Sequence, residues 1–244
     1  MDAVIIAFAS GKGGTGKSTT AVFTGGALAA LGKKVLLIEL DSGLRSVDII
    51  AGVSGQTVYD IEDVLSGRCE PAKAVVASPL YSGLSLISAP YSGGDISAEA
   101  LRKLCNKARG HFDFILIDTA AGLGAPFQAA CAVAHRIFLV LTADPVALRD
   151  GRIIADEMDG KVSQVRLILN RIDSRLILKE GVLRDLDEAI DIVGAQLIGA
   201  IPESKLVAKV AVTGEMLPKH STENKVYSAI AHRILGKDFP LILK

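Results

Sequence analysis

The segment that most limits what this chain can fold into is 9–20, ASGKGGTGKSTT, set directly behind the apolar run 3–8. A β-type run, a glycine-rich turn and a helix-forming stretch over 21–31 make a strand–loop–helix unit, the setting in which a phosphate-binding loop works. Residues 11–18 satisfy GxxxxGK[ST]: Gly11, Lys12, Gly13, Gly14, Thr15, Gly16, Lys17 and Ser18. Glycines admit positive φ, so successive N–H groups can curl around phosphate oxygens while the next helix adds its N-terminal dipole. In such a loop Lys17 meets the β- and γ-phosphates, Ser18 holds Mg²⁺, and Thr19 completes the contact set. ATP or ADP with Mg²⁺ is therefore the expected cofactor pair.

Apolar runs and helical patterns alternate along most of the remaining chain. Strands are expected over 34–40, 83–88, 112–118, 136–142, 164–170 and 196–201. Helices are expected over 97–108, 124–134, 145–158, 179–193, 204–213 and 223–235. Continuous apolar strands separated by helices predict an α/β three-layer fold, with a mostly parallel sheet covered on both faces. Half of the 244 residues are hydrophobic, ample for such a core. No linker, charge block or repeat interrupts the alternation, so one domain is expected over 1–236, with a short tail at 237–244.

Charge says little, because Lys+Arg and Asp+Glu balance at 27 each. Cys69, Cys105 and Cys131 lie far apart without a CxxC pair, which argues against a zinc or disulfide framework and for reduced thiols. The chain enters its first strand without a leader-like segment, and no apolar run approaches the ~20 residues of a membrane span. A cytoplasmic protein is expected.

In parallel sheets ligands bind outside the C-terminal strand ends. Asp41 follows the second strand, where it can hold Mg²⁺ through water, position the attacking water, or cap its loop. The run 114–117 followed by Asp118 has the form of a Walker B strand, an aspartate that serves Mg²⁺, and Gly122 behind it allows a loop to respond to the γ-phosphate. Asn170–Arg171 and Pro202–Glu203 end two further strands. An Asn amide or proline-containing loop can meet a nucleotide base, but the residues alone fit a structural role as well.

The second lysine sharpens the picture. KGGTGKS, with Lys12 ahead of Lys17, resembles the deviant Walker A loop of the MinD/ParA family of ATPases. Likeness extends over nearly the whole chain: ELDSGLRSVD at 39–48, VYDI at 58–61, DTAAG at 118–122, LRD at 148–150, IPE at 201–203 and the closing Leu235–Gly236. The DSGLR segment is closer to the MinD branch than to ParA. This resemblance implies a P-loop NTPase fold of roughly eight strands and an ATP-dependent homodimer that hydrolyses ATP and places the division site. It assigns Lys12 to the partner protomer's phosphates, Lys17 and Ser18 to the loop, Asp41 to switch I and 118–122 to switch II. Asn170, Pro202 and Glu203 match adenine-contacting positions, and Asp150 an acid that can pair with Lys12. A regulatory protein partner is implied as well.

Three positions depart from the pattern. Glu39 stands where Asp is common, DTAAGL replaces a proline-containing switch II, and the tail lacks a basic amphipathic helix. With two lysines, four large apolar residues and Pro240, residues 236–244 are expected to pack back on the domain, membrane binding by paired tails being the weaker reading. A ParA-type partitioning ATPase is the alternative. DNA binding is disfavoured by basic residues scattered among acids, and a metal-cluster carrier by the cysteine spacing.

Overall fold

A computed structural model describes residues 2–43, 45–91, 93, 96–173 and 183–242. Among them run β1 (Val4–Ala9), α1 (Lys17–Ala30), β2 (Val35–Glu39), α2 (Ser46–Ile50), α3 (Ile61–Leu65), α4 (Pro71–Ala74), β3 (Val76–Ala77), β4 (Leu84–Ile87) and α5 (Ala98–Ala108). Next come β5 (Phe114–Asp118), α6 (Ala125–Cys131), β6 (Arg136–Thr142), α7 (Pro145–Met158), β7 (Gln164–Ile172), α8 (Leu186–Val193), β8 (Gln196–Pro202), α9 (Lys205–Thr213) and α10 (Thr222–Ile234).

The eight strands form one sheet in the order β3-β4-β2-β5-β1-β6-β7-β8, parallel throughout except for the antiparallel β3–β4 edge. Alternation along β1 shows why both faces must be covered. Ile5, Ala7 and Ala9 enter one core with α3, α5, α6, α7 and α8, while Ile6 and Phe8 enter the other with α1, α2, α9 and α10. Such strands carry apolar residues at every position, which is why they read as unbroken runs.

α1 packs against the sheet and the turn before β4 through two glycines. A Cβ on Gly26 would come within 2.5 Å of the Tyr81 ring, and one on Gly25 within 3.1 Å of Leu84. Glycine lowers helix propensity here, but it admits a close approach that a larger residue would block. Polar caps start several helices at the expected places: Ser97 for α5, Asp144 for α7, Ser204 for α9 and Ser221 for α10 each accept backbone N–H bonds.

Two sequence expectations need adjustment. The helix expected over 179–193 is described as Leu186–Val193, residues 174–182 lying outside the described set. β7 runs two residues past its expected end, because Ile172 still pairs with Pro202 of β8. The described part of the tail returns to the protein as expected: Phe239 stacks on His232 with ring centroids 4.8 Å apart, and Leu241 and Ile242 are half-buried against the two cores.

Candidate functional site

All parallel strands point their C-terminal ends at one edge, and the candidate residues converge there. The loop between β1 and α1 turns through Gly14 (φ 78°) and Gly16 (φ 83°), and Gly16 caps α1 in the left-handed region that a side chain would strain. Space forbids a side chain at Gly16 too, since its Cβ would lie 2.2 Å from the Asn170 amide nitrogen. That amide donates to the Thr15 carbonyl at 2.7 Å, so the buried Asn170 braces the loop. One of its two N–H groups is thereby committed, which leaves the other to donate and the oxygen to accept.

Lys17 opens α1 and reaches across to Asp118 at the end of β5, Nζ to Oδ1 2.8 Å, with side-chain exposures of 6% and 0%. The second oxygen of Asp118 is buried and has no hydrogen-bond partner among the described residues. Next to it in sheet register stands Glu39, also buried, whose carboxyl oxygens accept from Val47 N–H (3.2 Å) and Ala89 N–H (3.3 Å). Burial, reinforced by the charge of Asp118, pushes the Glu39 carboxyl up to about 8 despite those two N–H groups. Half-buried Asp41 is also raised, chiefly by burial and further by Asp118, against the pull of Lys17. Lys17 thus contacts Asp118 and acts on Asp41, while Glu39 lies beside Asp118 without a cation of its own, which is why burial and that charge raise it.

The inner cluster has the chemistry of a hard-cation site. Ser18, Asp41 and Asp118 offer only oxygen donors, and the unpaired Asp118 oxygen is what a divalent cation would satisfy, so these residues fit Mg²⁺. Gly122 (φ 83°) returns the chain after Asp118 to the loop, donating its N–H to the Ser10 carbonyl at 2.8 Å. The segment 118–122 is therefore physically coupled to the phosphate loop even without the family's usual proline.

On the outer wall Lys12 contacts both oxygens of Asp144 at 3.1 Å. Expected pairing with Asp150 is thus corrected. Asp144 sits at the start of α7, where the Thr142 hydroxyl and Ala147 N–H hold its carboxylate ready, whereas Asp150 is packed against the loop backbone. A Cβ on Gly11 would fall 2.5 Å from the Asp150 Cβ. Desolvation alone would raise the Asp144 carboxyl, but its bonds from Thr142, Ala147 and Lys12 prevail and hold it below the usual range. Asp144 was missed as a functional candidate, and its only signal was an N-cap aspartate followed by proline at the end of a strand.

Lys12, Gly13, Gly14 and Thr15 form one side of a cleft of about 720 Å³ whose other side is Thr142–Asp144, Arg171, Asp173 and Glu203. Arg171 takes a positive φ of 56° and pairs with Glu203, Nε to Oε2 2.8 Å, while Glu203 N–H bonds the Ile172 carbonyl. The ends of β7 and β8 are thus joined into one wall, with Pro202 in the strand behind it. Sequence reasoning brought Lys12, Lys17, Asp41, Asp118, Asn170, Arg171 and Glu203 to one edge, and the fold places them there.

Comparison with known proteins fits this geometry. The family model for the CobQ/CobB/MinD/ParA nucleotide binding domain matches residues 6–217. The septum site-determining protein MinD of Bacillus subtilis is 34% identical, aligned over 97% of this chain and 90% of its own. A chain of the MinC:MinD cell division protein complex of Aquifex aeolicus superposes with a TM-score of 0.89 at 34% identity, covering 98% of each chain. The Pyrococcus horikoshii MinD complexed with Mg-ADP, at 23% identity and a TM-score of 0.81, shares the fold.

Proposed function

This chain belongs to the CobQ/CobB/MinD/ParA nucleotide-binding family, and from that premise we propose that it is a MinD-like ATPase, a switch that dimerises with ATP and serves division-site placement. The observation that carries the proposal is one loop with two lysines in different places. Lys17 points inward to the buried Asp118, and Lys12 stands on the rim of the cleft. A single protomer needs only the first to grip a triphosphate. The second can serve a phosphate that approaches from outside, as a partner protomer's would.

In this reading residues 1–236 form one ATPase domain. The N–H groups of 11–18 cradle the phosphates, Lys17 leaves Asp118 for the β- and γ-phosphates, and Ser18, Asp41 and Asp118 hold Mg²⁺, directly or through water. When bound, that ion neutralises charge on the β- and γ-oxygens. The rest falls to the chain's own side chains. Asp41 orients water at the open end, Gly122 relays loop movement through its bond to Ser10, and Asn170 with the Arg171–Pro202–Glu203 wall receives adenine. Glu39, fixed by two N–H groups, serves the architecture of the site. The MinC:MinD relative supports a regulatory protein as the second partner. No helix among the described residues is long and apolar enough to cross a membrane.

Light scattering tests the proposal directly. The mass is expected to double from 25.5 kDa with Mg-ATP but not with Mg-ADP, and Lys12→Ala is expected to abolish hydrolysis. A mass indifferent to nucleotide would overturn the dimer switch.

A further inference from the structure

The loop between β2 and α2 is fastened with more polar contacts than its length needs, and the centre of the fastening is a buried arginine. Arg45 lies in the left-handed region (φ 47°), where a residue with a side chain is disfavoured, yet it caps α2 there instead of a glycine or asparagine. Its side chain, only 7% exposed, turns inward to form an ion pair with Asp48, Nε to Oδ2 2.9 Å, a contact of charge alone because the Nε–H is not aligned to donate, and its guanidinium lies 4.3 Å from the Tyr91 ring centroid. The other Asp48 oxygen accepts from the Ser88 hydroxyl, which also meets the Thr57 hydroxyl at 3.2 Å.

Ser88 and Tyr91 follow β4, the sheet neighbour of β2, so the Asp48–Ser88 and Arg45–Tyr91 contacts tie the segment after β2 to the one after β4, while the Arg45–Asp48 pair links them within 45–48. Two more ties run in parallel. Gly43 N–H bonds the Pro90 carbonyl at 3.1 Å, and Glu39 accepts from Val47 on one side and Ala89 on the other. A buried ion pair is seldom the most stable filling for such a space, since apolar residues of similar volume do as well or better. What it supplies is a fixed geometry. The stretch it fixes begins four residues after Asp41, and the Gly43 N–H bond to Pro90 holds the chain two residues after it.

We propose that Arg45 is a positioning residue for ATP hydrolysis: through Asp48 and Ser88 it clamps the loop after β2 onto the end of β4 and so sets the direction of the Asp41 carboxylate. Its action is indirect, and it touches neither phosphate nor metal. The proposal rests on the assignment of Asp41 to the phosphate end of the site. In that reading the 11–18 loop and the far wall would hold ADP, so releasing the clamp should spare ADP binding and lower turnover.

Arg45→Gln is expected to reduce turnover at saturating Mg-ATP by about 10–100-fold, the scale of a small misplacement of a catalytic group, with the ADP dissociation constant changed less than about two-fold. Arg45→Lys, which returns a charge to Asp48, should recover part of the loss. Arg45→Gln with Asp48→Asn should be little worse than either alone, because residues acting as one device are not additive. Should Arg45→Gln fail to fold, Tyr91→Leu removes the exposed ring from beside the guanidinium and should lower turnover in the same direction by less. Wild-type turnover in Arg45→Gln, or a loss of ADP affinity in step with turnover, overturns the clamp, as does wild-type turnover in Tyr91→Leu when it must serve alone. Asp41→Asn separates the two readings: if it hydrolyses ATP normally the role of Asp41 falls, whereas if it is inactive while Arg45→Gln is not, the clamp alone falls.

Discussion

Lys12 and Lys17 belong to one loop, yet they sit in different media. The Lys17–Asp118 pair is 6% and 0% exposed, whereas the Lys12–Asp144 pair is 41% and 37% exposed. Their contact distances, 2.8 and 3.1 Å, hardly differ. What differs is the consequence of separation. In the dry half a charge that loses its partner is stranded, and in the wet half water takes the partner's place. The same ammonium chemistry therefore gives one contact that only a bound ligand's charge can replace and one that water can replace.

The strongest attempt to break this contrast is to remove each lysine from nucleotide-free protein. Lys17→Ala leaves Asp118 buried beside Glu39 without a cation and should lower the unfolding free energy by about 3–5 kcal/mol, besides abolishing Mg-ATP binding. Lys12→Ala should cost less than about 1 kcal/mol. Chemical denaturation midpoints of the two variants measure the difference, and equal shifts would mean that exposure does not separate the pairs.

The dry half should also have its own pH signature. Glu39 titrates near its ordinary 4.5 when unfolded and at about 8 when folded. Between those values the folded protein keeps a proton that the unfolded chain has released, so stability is greatest on the acid side and declines as pH rises through 8. Between pH 6 and pH 8 the Glu39 contribution should fall by about 2 kcal/mol. Glu39→Gln leaves one of the two N–H groups unpaired, so its stability starts lower, but its curve of stability against pH should be flatter than that of wild type. Parallel curves would remove the protonated carboxyl from the account.

Why the dry half was legible in the sequence and the wet half less so comes down to how each is built. Lys17, Ser18 and Asp118 lie at fixed offsets from two unbroken apolar strands, and the strand periodicity locates them. The Lys12 partner depends on where β6 hands over to α7. Asp144 and Asp150 lie in the same segment, and only the packing of Asp150 against Gly11 shows which of them is free to turn toward Lys12. Between 42 and 82 the elements α2, α3, α4 and β3 are two to five residues long. So short a span carries no periodicity, and the Arg45–Asp48–Ser88 fastening there is set by contacts across the fold. The phosphate loop could be read from local pattern, whereas the residues that aim Asp41 could not.

The smallest expected effect tests whether the wet pair is exchangeable at all. Asp144→Asn keeps a side-chain oxygen for the Ala147 N–H, so the start of α7 should survive with stability within about 0.5 kcal/mol of wild type. It removes the charge that holds Lys12 within its own protomer. If Lys12 must leave Asp144 to meet a partner's phosphate, the ATP-dependent dimer should form at protein concentrations roughly two- to five-fold lower, the range that an exposed ion pair can supply. Salt supplies an internal control, because screening weakens the pair in wild type and has no pair to weaken in the variant. The gap between the two proteins should therefore narrow as ionic strength rises. A dimer weakened by Asp144→Asn would show instead that the pair holds Lys12 in its working position, and both lysines would then belong to the fold.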